Sequence, residues 1–332
     1  MRLLVSYVLP RLLQWAVVIV VGVTVAFAVP RLSPTQPVDQ MLGRMSGMTA
    51  TDPAAVASLR SAIIALYGLQ GTPLEQYGRF WQHLLRGDLG PSLTAFPTPV
   101  TEMIWQALPW TIGLLGISTI LSWLLGLALG TLSAYRPHAL WSRLLANGMV
   151  TIYPIPYFIL ALVMVLVFAY YVPLFPLVGG ATGPPGLSLD YLWSILWHGF
   201  LPALSLVLVL TAFRFIVARA LASGVLSSDP VAFAETAGIP RRRIVSRYVM
   251  RNSMLPQITD LGLQLGAMFE GALITEVAFS YPGIGYRLFT AILQSDYNLI
   301  LGVTLFSIVG IATAALLIDF AYPLFDPRVR YQ

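Results

Sequence analysis

What limits this chain most is a series of apolar runs, at about residues 12–29, 110–134, 153–172, 199–218, 257–279 and 300–322. A helix needs about 20 apolar residues to cross the hydrocarbon layer, and a helix satisfies its own backbone groups there. Six such runs predict an all-α polytopic membrane protein with six transmembrane helices. With 57% apolar and 10% charged residues, the 332-residue chain carries more apolar surface than a soluble domain could bury.

The charges between the runs set their direction. Arg136 and Arg143 occupy the 136–147 connection, whereas 173–198 holds no Arg and a single acid, Asp190. The 219–256 connection holds six Arg against Asp229 and Glu235; 280–299 holds Arg287 and Asp296, and the tail holds Arg328 and Arg330. Basic and non-basic connections alternate, so the bias of cytoplasmic loops toward Arg places both termini in the cytoplasm. The expected layout is a transmembrane helix in 1–30, an extracytoplasmic helical cap in 31–109, a five-helix core in 110–323 and a cytoplasmic tail in 324–332. A cleaved signal peptide is the rival reading of the first run, since Ala26-Phe27-Ala28 resembles a cleavage site. The apolar core is longer than the roughly 7–15 residues of a signal peptide, which favours retention.

Between 31 and 109, five Arg balance five acids and no spanning run occurs. "DPAAVASLRSAIIALYG" predicts a helix capped by Asp52 and stopped by Gly68. "PLEQYGRFWQHLLRGDLG" predicts another, with Tyr77, Phe80, Trp81, Leu84 and Leu85 as its apolar side. The cap packs on its own membrane domain, receives an extracytoplasmic partner, or does both.

The cytoplasmic stretch 225–256 is the most informative polar segment. Asp229 is placed to cap a short helix whose first residue is Pro230, and Gly238 to stop it. Pro240 opens a second helix bearing Arg241, Arg242, Arg243, Arg247 and Arg251. The short helix is largely apolar (Val231, Phe233, Ala234) yet lies outside the bilayer, which predicts that it seats in a groove of a soluble protein. The Arg cluster follows from topology, with partner contact as an addition; lipid headgroups are a further option, and nucleic acid is not expected.

The sequence also excludes much. No Lys occurs, so no phosphate-binding P-loop or Schiff base can form. There is no Cys, and His83, His138 and His198 show no ligand spacing, so no metal site or other cofactor is expected. No GxSxG or HExxH motif is present. Gly126/Gly130 and Gly262/Gly266 are small-xxx-small pairs that suit close helix packing. Pro154 and Pro156 suit the start of the third span. Intramembrane carboxylates mark pathways or buried hydrogen bonds. Glu270 is the deepest, Glu276 lies toward the outer end of the fifth span, and Asp319 at the cytoplasmic interface.

Several blocks together resemble one family, the inner-membrane permeases of ABC importers in the dipeptide/oligopeptide/nickel group, of type I fold. Arg219, Asp229, Ala234 and Gly238 match its cytoplasmic loop pattern, and "RNSMLP" (251–256) resembles the end of that loop. "LRGDLGPSL" (85–93), "LPAL" (201–204), "FEGALITEVAFSYPGIG" (269–285), "DYNLILG" (296–302) and "DPRVRY" (326–331) also fit, in order along nearly the whole chain. The acid of the generic loop pattern would fall at Ala232, whereas Glu235 stands three positions on, so which side chain makes the polar contact is open.

The resemblance implies a subunit in the bacterial inner membrane that imports peptides without being an enzyme. Nickel chelates or opine and glycoconjugate solutes are the alternatives. It implies a second homologous permease, two ABC ATPase subunits holding ATP and Mg, and an extracytoplasmic solute-binding protein. Asp229, Pro230, Val231, Phe233, Ala234, Glu235, Gly238, Arg241 and Arg242 would form the coupling loop, and Glu270 and Glu276 the pathway. A proton-coupled carrier would need paired titratable groups in the membrane, and the sequence does not show them.

Overall fold

Helix starts and stops follow local chemistry in a computed structural model of the chain, which describes residues 7–32, 53–66, 70–266 and 273–325. In order, the α-helices are α1 (Leu9–Leu32), α2 (Pro53–Leu66), α3 (Pro73–Leu85), α4 (Val100–Tyr135), α5 (Leu140–Ile152), α6 (Tyr157–Met164), α7 (Leu189–Leu226), α8 (Asp229–Thr236), α9 (Arg241–Ile244), α10 (Met250–Gly266), α11 (Leu273–Ala278), α12 (Ile284–Gln294) and α13 (Tyr297–Phe325). A π-helical segment, Val165–Tyr171, continues α6, and another, Val245–Val249, joins α9 to α10. No strand occurs among the described residues. The all-α expectation holds.

Four of these helices are long and apolar enough to span a membrane: α1, α4, α7 and α13. α5 and α6 with its π-helical extension make a fifth candidate, bent by 100°. The bend falls at Tyr153-Pro154-Ile155-Pro156, and Pro156 is the N-cap of α6, so the prolines do start the third apolar helix. α5 begins within the expected 136–147 connection and runs to the start of the third apolar run. The expected fifth span, 257–279, is represented by α10 and α11, and residues 267–272 between them lie outside the description.

Helix ends also differ from the apolar runs. α7 has 38 residues and α4 has 36, against the expected spans of 199–218 and 110–134. An apolar run measures hydrocarbon depth, whereas a helix continues into water until something stops it. Ser188 starts α7 by accepting from the Tyr191 amide at 3.3 Å. Downstream, the chain reaches Ser227 before it turns.

The chain divides into two units, Met1–Pro109 with Gly283–Thr313 and Trp110–Pro282 with Ala314–Gln332. In the first, α3 begins with a reciprocal capping box between Thr72 and Glu75. Its Phe80, Trp81 and Leu84 pack on Val23 and Ala26 of α1 and Leu305 of α13. Tyr77 meets Phe27 edge-on at 5.1 Å and shares a 2.7 Å hydrogen bond with Thr24. The cap helix therefore packs on its own membrane helices, as one reading expected. Leu85 is a correction: it is 80% exposed, because it follows Leu84 directly and is turned about 100° around the helix from it, off the stripe formed by Tyr77, Trp81 and Leu84. α2 is a helix as expected, but its proposed cap Asp52 and stop Gly68 lie outside the described residues.

In the second unit, α4 and α7 lie against each other along Gly126 and Gly130. A Cβ on Gly126 would sit 2.5 Å from the Arg214 Cβ, and one on Gly130 would sit 2.7 Å from the Phe215 carbonyl oxygen. This small-xxx-small pair therefore serves packing within the chain. A second core gathers Leu114, Ala161, Met164, Leu201, Leu206, Phe279 and Tyr281.

Candidate functional site

α8 is built by its ends. Ser228, not Asp229, is the N-cap, and Asp229 and Pro230 occupy the first two helical positions. The Ser228 hydroxyl does not cap; it is turned back toward α7 and donates to the Val225 carbonyl at 2.6 Å. Asp229 instead contributes its charge to the first turn, where the helix dipole favours an anion. The other end matches expectation. Gly238 takes φ +73°, its amide bonds Glu235 O at 3.0 Å, and the Ile239 amide bonds Ala234 O at 3.1 Å. That pair of bonds is the Schellman stop, which favours glycine at the left-handed position.

The eight-residue helix is two-faced. Val231 and Ala234 are 2% and 3% exposed and share a core with Ala134 of α4, Ala222 of α7, Ile244 of α9 and Val249. Phe233 points the other way and is 76% exposed. Asp229, Pro230, Glu235, Gly238, Arg241 and Arg242 are exposed too. Glu235 pairs with Arg241 at 3.5 Å, and that guanidinium lies 5.5 Å from the centre of the Tyr135 ring. The expected loop residues thus sort into an anchoring pair, Val231 and Ala234, and an outward set around Phe233. The apolar character of the helix serves its own chain first, and only Phe233 is a large apolar group left over.

Of the pathway carboxylates, Glu270 lies outside the described residues. Glu276 on α11 is fully buried and accepts a 2.8 Å hydrogen bond from Thr111 of α4. In this conformation it is a packed, hydrogen-bonded group. Asp319 lies near the end of α13 and is half-buried.

Two polar centres escaped the sequence reading. Asp296, the N-cap of α13, is fully buried. Its Oδ2 accepts from Ser92 Oγ (2.5 Å), the Leu93 amide (3.0 Å), the Thr94 amide (3.1 Å) and Thr94 Oγ1 (2.9 Å). Its Oδ1 accepts from the Leu299 amide at 3.1 Å. Asn298 donates to the Pro91 carbonyl at 2.9 Å. "LRGDLGPSL" and "DYNLILG", separate blocks in the sequence, are one structure held by a carboxylate. Nearby, the Gly90 amide and His83 hold the exposed Asp88 carboxyl below the usual carboxylate range.

The second centre is Arg214, 2% exposed within the fourth apolar run. Its Nη1 donates to the Thr119 carbonyl of α4 at 3.4 Å, and its Nη2 lies 3.8 Å from Asp260 of α10. The signal was available, since an Arg in one apolar run and an Asp in another are costly unless used. No group of three or more metal-ligating side chains occurs among the described residues.

Residues 126–331 match the family described as binding-protein-dependent transport system inner membrane component. The chain is 28% identical over 328 residues to the oligopeptide transport system permease protein AppB of Bacillus subtilis, covering 98% of this chain and 99% of that one. It is 28% identical to the oligopeptide transport system permease protein OppB of Haemophilus influenzae, with the same coverage. It is 30% identical over 326 residues to a probable peptide ABC transporter permease protein, y4tP, of Sinorhizobium fredii, again covering 98% and 99%.

Proposed function

The chain belongs to the family of binding-protein-dependent transport system inner membrane components, and on that footing we propose that it is the permease subunit of an ABC importer carrying peptides into the cytoplasm. The peptide assignment rests on the full-length similarity to oligopeptide and dipeptide permeases. The complex would contain a second permease of similar fold, two ATPase subunits and an extracytoplasmic solute-binding protein. ATP and Mg belong to the ATPases, since this chain has no Lys to hold a phosphate in a P-loop. The subunit sits in the inner membrane with six spans and cytoplasmic termini.

One observation carries the mechanical reading: α8 is fixed to its own chain by Val231 and Ala234 while Phe233 is 76% exposed. A helix held that way moves as a piece with whatever grips Phe233. Closure of the ATPases on ATP would shift α8, and the shared core would pass the shift to α4, α7 and the α9–α10 segment. Glu235 and Arg241, an exposed ion pair in the same segment, would supply a polar part of the contact. Glu270 and Glu276 would meet the solute in the outward-open state, the latter after its Thr111 bond opens.

The test is ATP-driven uptake of a tripeptide by the reconstituted complex. Phe233→Ser removes a central aromatic anchor, a change that costs about 2 kcal/mol or more at such contacts. Uptake should fall at least about tenfold while the subunit still inserts and folds. Wild-type uptake in this variant would refute the coupling role of α8.

A further inference from the structure

α7 carries a permanent cation into the membrane and turns it inward. Arg214 lies close enough to the end of its apolar run to snorkel, yet it is 2% exposed. Gly126 makes this possible, because any side chain there would strike the Arg214 Cβ. α10 reaches the same place through Trp123 of α4, whose Nε1 donates to the Gln257 carbonyl at 3.0 Å. Three helices thus converge on one guanidinium.

Its hydrogen bonding is unbalanced. Nη1 makes the bond to Thr119, whereas Nε and Nη2 are buried with no hydrogen-bond partner among the described residues. Those two atoms form one edge of the planar guanidinium, the fork that matches a carboxylate in two parallel N–H···O bonds. Asp260 compensates the charge from 3.8 Å, too far for a hydrogen bond, and its side chain is 40% exposed. The surroundings are polar as well. Ser118 Oγ beside Thr119, Thr211 Oγ1 three residues before Arg214 and Gln257 Oε1 three residues before Asp260 are buried and lack partners among the described residues.

We propose that the Nε/Nη2 edge of Arg214 is a docking point for a carboxylate of the transported solute, a specificity-determining contact inside the membrane core. The inference rests on the peptide-importer reading above, which supplies a C-terminal carboxylate. Asp260 keeps the cation tolerable between solutes without filling the fork, and its exposed position lets it swing aside as a carboxylate arrives. A single fork binds weakly enough to release the solute, as a pathway requires.

The test uses the whole complex in proteoliposomes during ATP turnover, with trialanine and its C-terminal amide as probes. Phenylglyoxal modification of Arg214, read by mass spectrometry, should be suppressed by the acid and not by the amide. Arg214→Lys keeps the charge and loses the fork, and should lower uptake of the acid roughly tenfold relative to the amide. Asp260→Asn removes the competing carboxylate and should strengthen protection by the acid. Equal modification with acid and amide, an Arg214 that never reacts, or equal changes in both uptakes would overturn the proposal and leave Arg214 a structural partner of Asp260. If the complex imports neither peptide, the peptide reading fails, while the footprint still decides whether a carboxylate reaches Arg214.

Discussion

Replacing Asp296 by Ala should open the Ser92–Thr94 loop without unfolding the apolar helices. The carboxylate accepts five hydrogen bonds, three from the Leu93, Thr94 and Leu299 amides and two from the Ser92 and Thr94 hydroxyls. The hydroxyls can recover, because Ser92 Oγ already lies 3.3 Å from Thr94 Oγ1. The amides cannot turn. Each buried donor left unsatisfied costs about 1–3 kcal/mol, and water entering this partly buried loop keeps the value at the low end. Three such donors give about 3 kcal/mol, or roughly two decades in a local opening equilibrium at 1.4 kcal/mol per decade. Amide hydrogen exchange of Leu93, Thr94 and Leu299 should therefore accelerate about 100-fold in Asp296→Ala. Asp296→Asn should fall between, since its carbonyl can serve the Ser92–Thr94 side while its NH2 opposes the Leu299 amide. Protection unchanged in both variants would show that the carboxylate does not hold the loop.

Two further expectations follow from packing and charge. Gly126→Val should destabilise the α4–α7 pair by about 1–3 kcal/mol or more, the usual range for overpacking, because its Cβ would meet the Arg214 Cβ and backbone at 2.5–3.1 Å. A lowered tryptophan-fluorescence melting temperature checks this, and an unchanged one refutes the close contact. Asp88, whose pKa is lowered in the fold, contributes stability that is present above its unfolded value near 3.8 and lost as pH falls through its folded value. Acid should therefore loosen the Gly90 turn, Asp88→Asn should remove most of that pH dependence, and exchange at the Gly90 amide measures both.

How much of this was legible in the sequence depends on how local the cause is. The short helix α8 was readable because Pro230 and Gly238 act within a few residues of themselves. Its start was misplaced by one residue, because Asp229 already has helical backbone geometry and the cap position falls to Ser228, which makes no side-chain capping bond. The lengths of α4 and α7 were not readable, since hydropathy reports the apolar layer and not where a helix stops. In the sequence Asp296 is only a loop charge, because its partners lie about two hundred positions away. Arg214 escaped the sequence reading although it stands as a charge in an apolar run, and its open edge depends on the approach of α4 that Gly126 allows. In the sequence Phe233 is one of several apolar residues of the helix, and only the burial of Val231 and Ala234 singles it out.

The natural absence of Cys allows the central claim to be tested with a single introduced thiol. In the assembled transporter, Phe233→Cys, paired with cysteines placed around the facing groove of the ATPase, should form a disulfide under mild oxidation. Ala234→Cys, whose side chain is turned into this chain's own core, should not. Crosslinking at 234 and none at 233 would mean that the helix presents its other face to the ATPase, and the account of how this subunit is driven would fail.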